Sequence, residues 1–387
     1  MLFGNVIGQH EIKRQLTKSA RSGNIPHARM ITGNEGTGKL AIAIAYARYL
    51  CCTDRSEEDS CGRCPSCIKF NKLVHPDLHF AFPIIKNDKK KKETCDDYLK
   101  EWREFVLKNP YFNYNRWLDF IDAGNSQGLI YTRESETIVH RLNLRAYESE
   151  YKTVIIWLPE KMHELCANNL LKMIEEPPAN TIFLLVSEAP DMVLPTIRSR
   201  TQHLHVPPID KEAIGEELKK LAGAGGQTFD QTDIKRLIRL ARGSRIRLEE
   251  LLENTDSSRE SLELFKSIMR SGWERNIQKM RTNSDKFAAM GRERQKKFLS
   301  YANNFIRENF FFKLNLPEIN YLNKEEIEFA EKFSEYINEN NVISLIDEFT
   351  TAEQHIESNV NPKTVFFDLS LKTAILIKIK INHGHRI

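Results

Sequence analysis

The sequence predicts an α/β protein with a mostly parallel sheet covered on both faces, continued by an all-helical C-terminal region. Three observations carry this prediction. A glycine-rich turn, Gly33-Asn34-Glu35-Gly36-Thr37-Gly38-Lys39-Leu40, links a short strand pattern, Arg29–Thr32, to an Ala/Ile/Leu-rich helix pattern running to Leu50. Two further apolar runs, Thr153–Trp157 and Thr181–Ser187, have the length and β-branched content of buried strands, with a helix stopped by Pro177-Pro178 between them. From about Asp256 onward the pattern is helical, with no Gly or Pro cluster to divide it. Alternating strands and helices imply parallel pairing, and 387 residues suffice for two or three domains with their own cores.

Composition narrows the function classes. A 41% hydrophobic and 28% charged content describes a soluble globular chain. No apolar run approaches membrane-spanning length, and Met1-Leu2-Phe3-Gly4-Asn5 lacks a basic region followed by an apolar stretch, so neither secretion nor insertion is expected. A formal charge of +4 is too small to imply nucleic-acid binding by itself.

The elements follow in chain order. A helical pattern covers His10 to Ser22. The turn after it matches the phosphate-cradling loop G-x-x-x-x-G-K-[ST] at Gly33, Gly38 and Lys39, and departs at the last position. Glycines, Gly36 among them, let successive N–H groups point at phosphate oxygens, and Lys39 reaches the outer phosphates. The final Ser/Thr normally gives its hydroxyl to Mg²⁺, and Leu40 has none to give. The strand Thr153–Trp157 should then end in a metal-holding Asp followed by a water-orienting Glu, and those places hold Trp157 and Leu158. Glu160 lies two residues too far along. Three losses together argue against hydrolysis and leave a vestigial phosphate site, at which weak nucleotide binding stays open.

Between these halves lies a cysteine segment. Cys61, Cys64 and Cys67 are separated by two residues each, and Cys52 precedes them by eight. Two-residue gaps turn thiolates toward a common ion, so Cys52, Cys61, Cys64 and Cys67 are expected to hold a structural zinc ion with no open position. Cys51 competes with Cys52 for the fourth place; free thiols or a redox pair are the other readings. The number of cysteines suits a reducing cytoplasm. Cys95 and Cys166 stand alone as ordinary thiols. An extended segment, Leu78–Pro83, alternates like a strand. Lys89–Lys92 form a basic run, read first as a solvated loop tip and second as a phosphate contact. Trp102, Phe105, Trp117 and Phe120 recur at helical spacing and read as packing aromatics. Thr132–Leu142 is helical again.

The order of Val6-Ile7-Gly8-Gln9, His27-Ala28, the phosphate loop, the four-Cys segment, Asn169-Leu170-Leu171-Lys172, Glu175-Glu176-Pro177-Pro178 and Thr196-Ile197-Arg198-Ser199-Arg200 resembles the clamp-loader branch of the AAA+ ATPases. Within that branch the chain is most similar to the delta-prime subunits of bacterial replicative clamp loaders, which belong to the DNA polymerase III holoenzyme. The resemblance implies an AAA+ core over residues 1–206 with a zinc module at about 51–68, a helical lid over 207–254 and a helical collar over 255–387. The stretch from about 84 to 142 is longer than the family's usual connection and reads as an insertion. The resemblance further implies a five-subunit ring with gamma/tau and delta subunits, which acts on a sliding clamp and primer–template DNA. In that ring Ser199-Arg200 presents an arginine finger to ATP bound by a neighbour. Thr201 stands where many members have Cys. At the lid's nucleotide-sensing position the register places Ile246 between Arg245 and Arg247, so neither arginine is assigned that role.

Three functions follow. The first is a binding subunit, silent on its own, that supplies Arg200 in trans. The second is an active motor ATPase of the gamma/tau type. The third is a zinc-dependent DNA-binding protein using the cysteine module and Lys89–Lys92. Leu40, Trp157 and Leu158 count against the second, and the modest charge counts against the third.

Overall fold

The computed structural model describes residues 1–86, 92–124, 126–226, 229–253, 255–316 and 320–379. The chain divides into two compact units, Met1–Glu250 and Leu251–Ile387.

In the first unit, α1 (His10–Arg21) buries Ile12, Leu16 and Ala20, one stripe at four-residue spacing, and leads to β1 (Ala28–Thr32). The next helix, α2 (Lys39–Cys51), is apolar all round and has every residue buried. A short α3 (Pro65–Asn71) follows, then β2 (Leu78–Ala81), α4 (Leu99–Lys108), α5 (Tyr114–Phe120) and α6 (Thr132–Asn143). The unit continues through β3 (Lys152–Trp157), α7 (Glu164–Glu175), β4 (Thr181–Ser187), α8 (Pro195–Arg198) and β5 (Gln202–His205). Three further helices close it: α9 (Lys211–Gly225), α10 (Gln231–Ala241) and α11 (Arg245–Glu253), the last crossing into the second unit.

The five strands form one sheet in the order β2-β3-β4-β1-β5, and every pairing is parallel. β1, β3 and β4 are buried along their whole length, which explains why they read as unbroken apolar runs rather than alternating ones. This is a parallel α/β core. The order brings the carboxyl ends of β1, β3 and β4 together beside the phosphate loop, where ligands of such sheets bind.

Some local expectations change. Leu78–Pro83 does not alternate: only His79 is partly exposed, and the strand stops at Ala81. α9 ends at Gly225 and is capped by Gly226, whose φ of 67° is the left-handed stop that glycine accommodates. Of the basic run, Lys89, Lys90 and Lys91 lie outside the described residues; Lys92 is ion-paired with Glu101 and sits over the Tyr98 ring.

The segment between β2 and β3 has its own aromatic core. Trp102 and Trp117 are fully buried, Phe105 is half-buried and Phe120 is exposed. Phe82 stacks on Trp102 at 4.1 Å, and Trp102 meets Trp117 edge-on at 5.1 Å. The cluster continues onto the end of β3, where Trp157 lies 5.3 Å from Trp102 and 5.0 Å from Phe112.

The second unit is helical: α12 (Thr255–Glu274), α13 (Ile277–Ala288), α14 (Arg292–Lys313), α15 (Lys324–Phe333), α16 (Val342–Glu357) and α17 (Pro362–Leu376). Phe265, Phe298, Phe305, Phe349 and Phe366 form its centre. Phe310, Phe311 and Phe312 lie on α14 and are only partly buried. The buried Gln295 donates to the carbonyls of Phe287 and Met290, so it carries its polarity without an unpaired amide N–H. Ile343 and Ile375 remain largely exposed, at 68% and 66%. Of the apolar-basic stretch Ile375–Ile381, the last two residues lie outside those described.

Candidate functional site

The phosphate loop has the backbone its glycines permit. Gly36 and Gly38 adopt φ of 78° and 89°, positions that disfavour any side chain. Lys39 opens α2 and is almost fully buried. Its ammonium donates to the Asn34 carbonyl at 2.6 Å and lies 3.5 Å from a Glu188 carboxylate oxygen. Burial lowers the Lys39 pKa, an effect that Glu188 opposes. Burial likewise raises the Glu188 pKa, and Lys39 opposes that. The cation that a phosphate would engage is therefore already answered by oxygens of this chain.

The rest of the cleft is filled. Leu40, Trp157 and Leu158 are buried and carry no oxygen toward the loop. One oxygen of Glu160 accepts the N–H groups of Glu188 and Ala189 at 2.9 and 3.1 Å, and its other oxygen is buried without a hydrogen-bond partner among the described residues. Tyr111, from the inserted segment, lies against Gly38 so closely that a Cβ there would sit 2.9 Å from its ring. Its hydroxyl accepts the Ile7 N–H at 2.8 Å, and burial pushes its pKa to about 12. Ser244 covers Gly36, whose carbonyl accepts the Arg245 N–H at 3.0 Å. What remains between Gly36, Lys39, Tyr111, Trp157, Glu188 and Ile246 is a cavity of about 20 Å³. That is room for about one water molecule.

A polar network joins the segment between β2 and β3 to α9 and α11. Arg245 pairs with Glu217 on α9 at 2.8 Å and with Glu249 at 2.6 Å, donates to Asn109 at 2.9 Å, and lies over the Tyr111 ring at 5.2 Å. Glu249 also accepts from Arg116 at 2.7 Å and from Asn109 at 3.2 Å. The Arg245, Glu217 and Glu249 side chains are between 11% and 15% exposed, so these are largely desolvated pairs.

The cysteine segment converges. The sulfurs of Cys52, Cys61, Cys64 and Cys67 all lie within 4.8 Å of one another. A tetrahedral Zn–S₄ centre places its sulfurs about 3.8 Å apart, and Cys52 and Cys64 are 4.0 Å apart. Backbone N–H groups of Cys61, Cys64 and Cys67 point at the sulfurs of Cys52, Cys61 and Cys64, the arrangement that stabilises thiolate ligands. Cys51 turns away, its thiol toward the Tyr151 carbonyl at 3.6 Å, and burial pushes its pKa to about 12. The donor set fits zinc, and Cys52 rather than Cys51 belongs to the four-sulfur cluster. Cys95 and Cys166 are buried apart from this cluster.

Ser199 and Arg200 follow α8 at the surface. Ser199 donates to the Thr196 carbonyl at 3.2 Å. Arg200 donates to the same carbonyl at 3.1 Å, and its Nε lies 2.9 Å from a carboxylate oxygen of Glu175, at the end of α7. The two side chains are 35% and 54% exposed. A surface pair of this kind contributes about 0–1 kcal/mol.

A sequence profile of the family described as "DNA polymerase III, delta subunit" matches residues 8–210. The chain belongs to this family. Within this clamp-loader family the chain is 26% identical over 210 residues to the delta-prime subunit of Bacillus subtilis, covering 54% of this chain and 51% of that one. It is 27% identical over 231 residues to the delta-prime subunit of Escherichia coli, covering 59% and 55%. It is also 26% identical over 242 residues to the gamma/tau subunit of Mycobacterium tuberculosis, covering 62% of this chain and 35% of that one. The match thus spans about a third to a half of these relatives' lengths. Among solved structures, a gamma subunit-related protein of Thermotoga maritima superposes with a TM-score of 0.37 at 14% identity, over 94% of this chain and 100% of that one.

Three participants were not legible as such in the sequence. Glu188 follows a strand with nothing to mark it as the partner of Lys39. Tyr111 and Glu175 act through contacts to residues far along the chain. The available signal was an aromatic, Trp157, at a strand end that should be acidic, preceded by an aromatic-rich insertion.

Proposed function

We propose that this chain is a delta-prime-type, stator-like subunit of a bacterial replicative clamp loader, silent as an ATPase on its own and working in the cytoplasm. In a five-subunit ring with gamma/tau and delta subunits, it would assist ATP-dependent loading of a sliding clamp onto primed DNA. The observation that carries this reading is the cleft of about 20 Å³, in which Lys39 faces Glu188 and the buried Leu40, Trp157 and Leu158 stand where the oxygen-bearing side chains of a Mg²⁺-ATP site are expected. Gly33, Gly36, Gly38 and Lys39 keep the loop's shape without its task. Arg200 sits at the opposite extreme, held near the surface by the exposed Glu175 carboxylate and the Thr196 carbonyl, and is assigned as the finger given to a neighbour's ATP. An arginine donated in trans stabilises charge on the transferring phosphoryl group and is worth about 10³–10⁵ in rate. Ser199 shapes the turn that carries it.

Cys52, Cys61, Cys64 and Cys67 would hold zinc in a closed site that cross-links the loop after α2 and supplies no reactive position. Metal analysis is expected to give one zinc per chain, with Cys67→Ser losing it; a metal-free wild type sinks this assignment.

The functional test is ATP hydrolysis by the reconstituted loader with clamp and primed DNA, comparing wild type with Arg200→Ala, and the isolated chain alongside. The isolated chain is expected to be silent, and Arg200→Ala to slow the complex by about tenfold or more, equal to about 1.4 kcal/mol of barrier. An unaffected complex makes Arg200 a structural residue. Turnover by the isolated chain with Mg²⁺ establishes instead the active gamma/tau-type motor.

A further inference from the structure

The insertion carries aromatic and polar groups beyond what its own small core needs, and they converge on one place. Phe112 packs on Trp157, the residue that replaces the acidic strand end. Tyr111 rests on Gly38 and reaches Ile7, the residue before Gly8-Gln9. Asn109 donates to Glu249 and accepts from Arg245, and Arg116 reaches the same Glu249. One short stretch thus touches the phosphate loop, the segment preceding α1, the end of β3 and two lid helices, the last through Arg245 and its partner Glu217.

We propose that residues 109–112 are an internal ligand of the nucleotide cleft: they exclude adenine nucleotide and tie the lid to the core in a single nucleotide-independent arrangement. The Tyr111 ring covers the last glycine of the loop, Glu188 supplies the negative oxygen opposite Lys39, and the Asn109–Arg245–Glu249–Arg116 cluster joins this stretch to α11. Trp157, at the end of β3, is the surface on which Phe112 packs. This inference rests on the silent-cleft part of the functional proposal and is independent of Arg200.

The test uses the full chain and two readouts. The first is equilibrium binding of fluorescent ADP without metal, with wild type and Tyr111→Gly compared by circular dichroism for fold. Wild type is expected to show no saturable binding up to about 1 mM, and Tyr111→Gly to bind at least about tenfold below that concentration. A wild type that binds ADP overturns the proposal, as does a folded Tyr111→Gly that does not. The second readout is amide hydrogen exchange in Glu249→Ala, which stands even where Tyr111→Gly fails to fold. Exchange is expected to speed up together, by about tenfold, across 109–117 and α9–α11, with β1 and β4 unchanged. Faster exchange confined to 109–117 overturns the tie between insertion and lid. Neither readout involves Arg200, so a silent Arg200→Ala in the complex and a failure here are separate results.

Discussion

The phosphate loop and the Ser199–Arg200 turn belong to the same unit, and their charged groups are held in opposite ways. Lys39 is 4% exposed and faces Asn34 and Glu188 in a cleft with space for about one water. Arg200 is 35% exposed and faces a carboxylate that is itself more than half exposed. Releasing Lys39 breaks a pair in which the ammonium is buried and the carboxylate only 25% exposed, which is costly. Releasing Arg200 costs about 1 kcal/mol or less. On the proposed function, a group that reaches a neighbour's nucleotide has to be cheap to release, whereas a cleft that does not turn over has no such need and can be packed like a core.

The strongest way to break this contrast is to restore the acidic strand end. Trp157→Asp removes an indole packed between Trp102 and Phe112 and leaves a carboxylate in its place. The large-to-small term alone is about 3–5 kcal/mol, and the unpaired charge adds to it. The urea midpoint of the isolated chain is expected to fall accordingly, with Cm lowered at unchanged m. An unchanged midpoint together with Mg²⁺-ATP uptake would reveal a dormant motor site, and the two regions would no longer differ in kind.

Acid presses on the same closed side more gently. His79, on the strand that leads into the insertion, is pushed down to about 4 by burial and by Arg141 and Lys152, with Asp77 and Asp96 opposing. Its folded pKa lies below the ordinary 6.5, so the unfolded chain takes up the proton first. Stability contributed by neutral His79 is complete above about pH 6.5 and is lost as pH falls toward 4, by about 2–3 kcal/mol. Urea melts at pH 7 and pH 4.5 measure this, and His79→Gln should flatten the difference. An equally steep loss in that variant assigns the acid sensitivity to other groups.

How much of this could be read from the chain depends on the range of the interactions. β1, β3 and β4 are local apolar runs and were legible. So was the cysteine set, because two-residue gaps are a property of a few neighbouring residues, although choosing Cys52 over Cys51 needed the direction of each thiol. The absence of side-chain oxygens at Leu40, Trp157 and Leu158 was legible directly. What replaced them was not. Tyr111 meets Gly38 across 73 positions and Arg116 meets Glu249 across 133, and no periodicity encodes such pairings. Trp102 and Trp117 were read as packing residues and are fully buried, and Phe120, at the same spacing, stacks on Phe105 while one side of it stays exposed. Helical spacing fixes a face, and only the fold decides what covers it.

The smallest expected effect sharpens the contrast from the open side. Glu175→Gln keeps the size of the side chain and removes the charge opposite Arg200, so the isolated chain should lose less than about 1 kcal/mol. Its effect on the reconstituted loader carries more information. If Glu175 only parks the guanidinium, the freed Arg200 leaves ATP hydrolysis unchanged or raises it by a small factor, because the pair has to open before the arginine can reach a neighbour. If Glu175 instead aims the guanidinium, the same variant lowers kcat with little change in KM, the pattern of an interaction made only in the transition state. A large loss of stability would contradict both outcomes, since it would show that Arg200 is anchored like Lys39 and that the turn is part of the closed region.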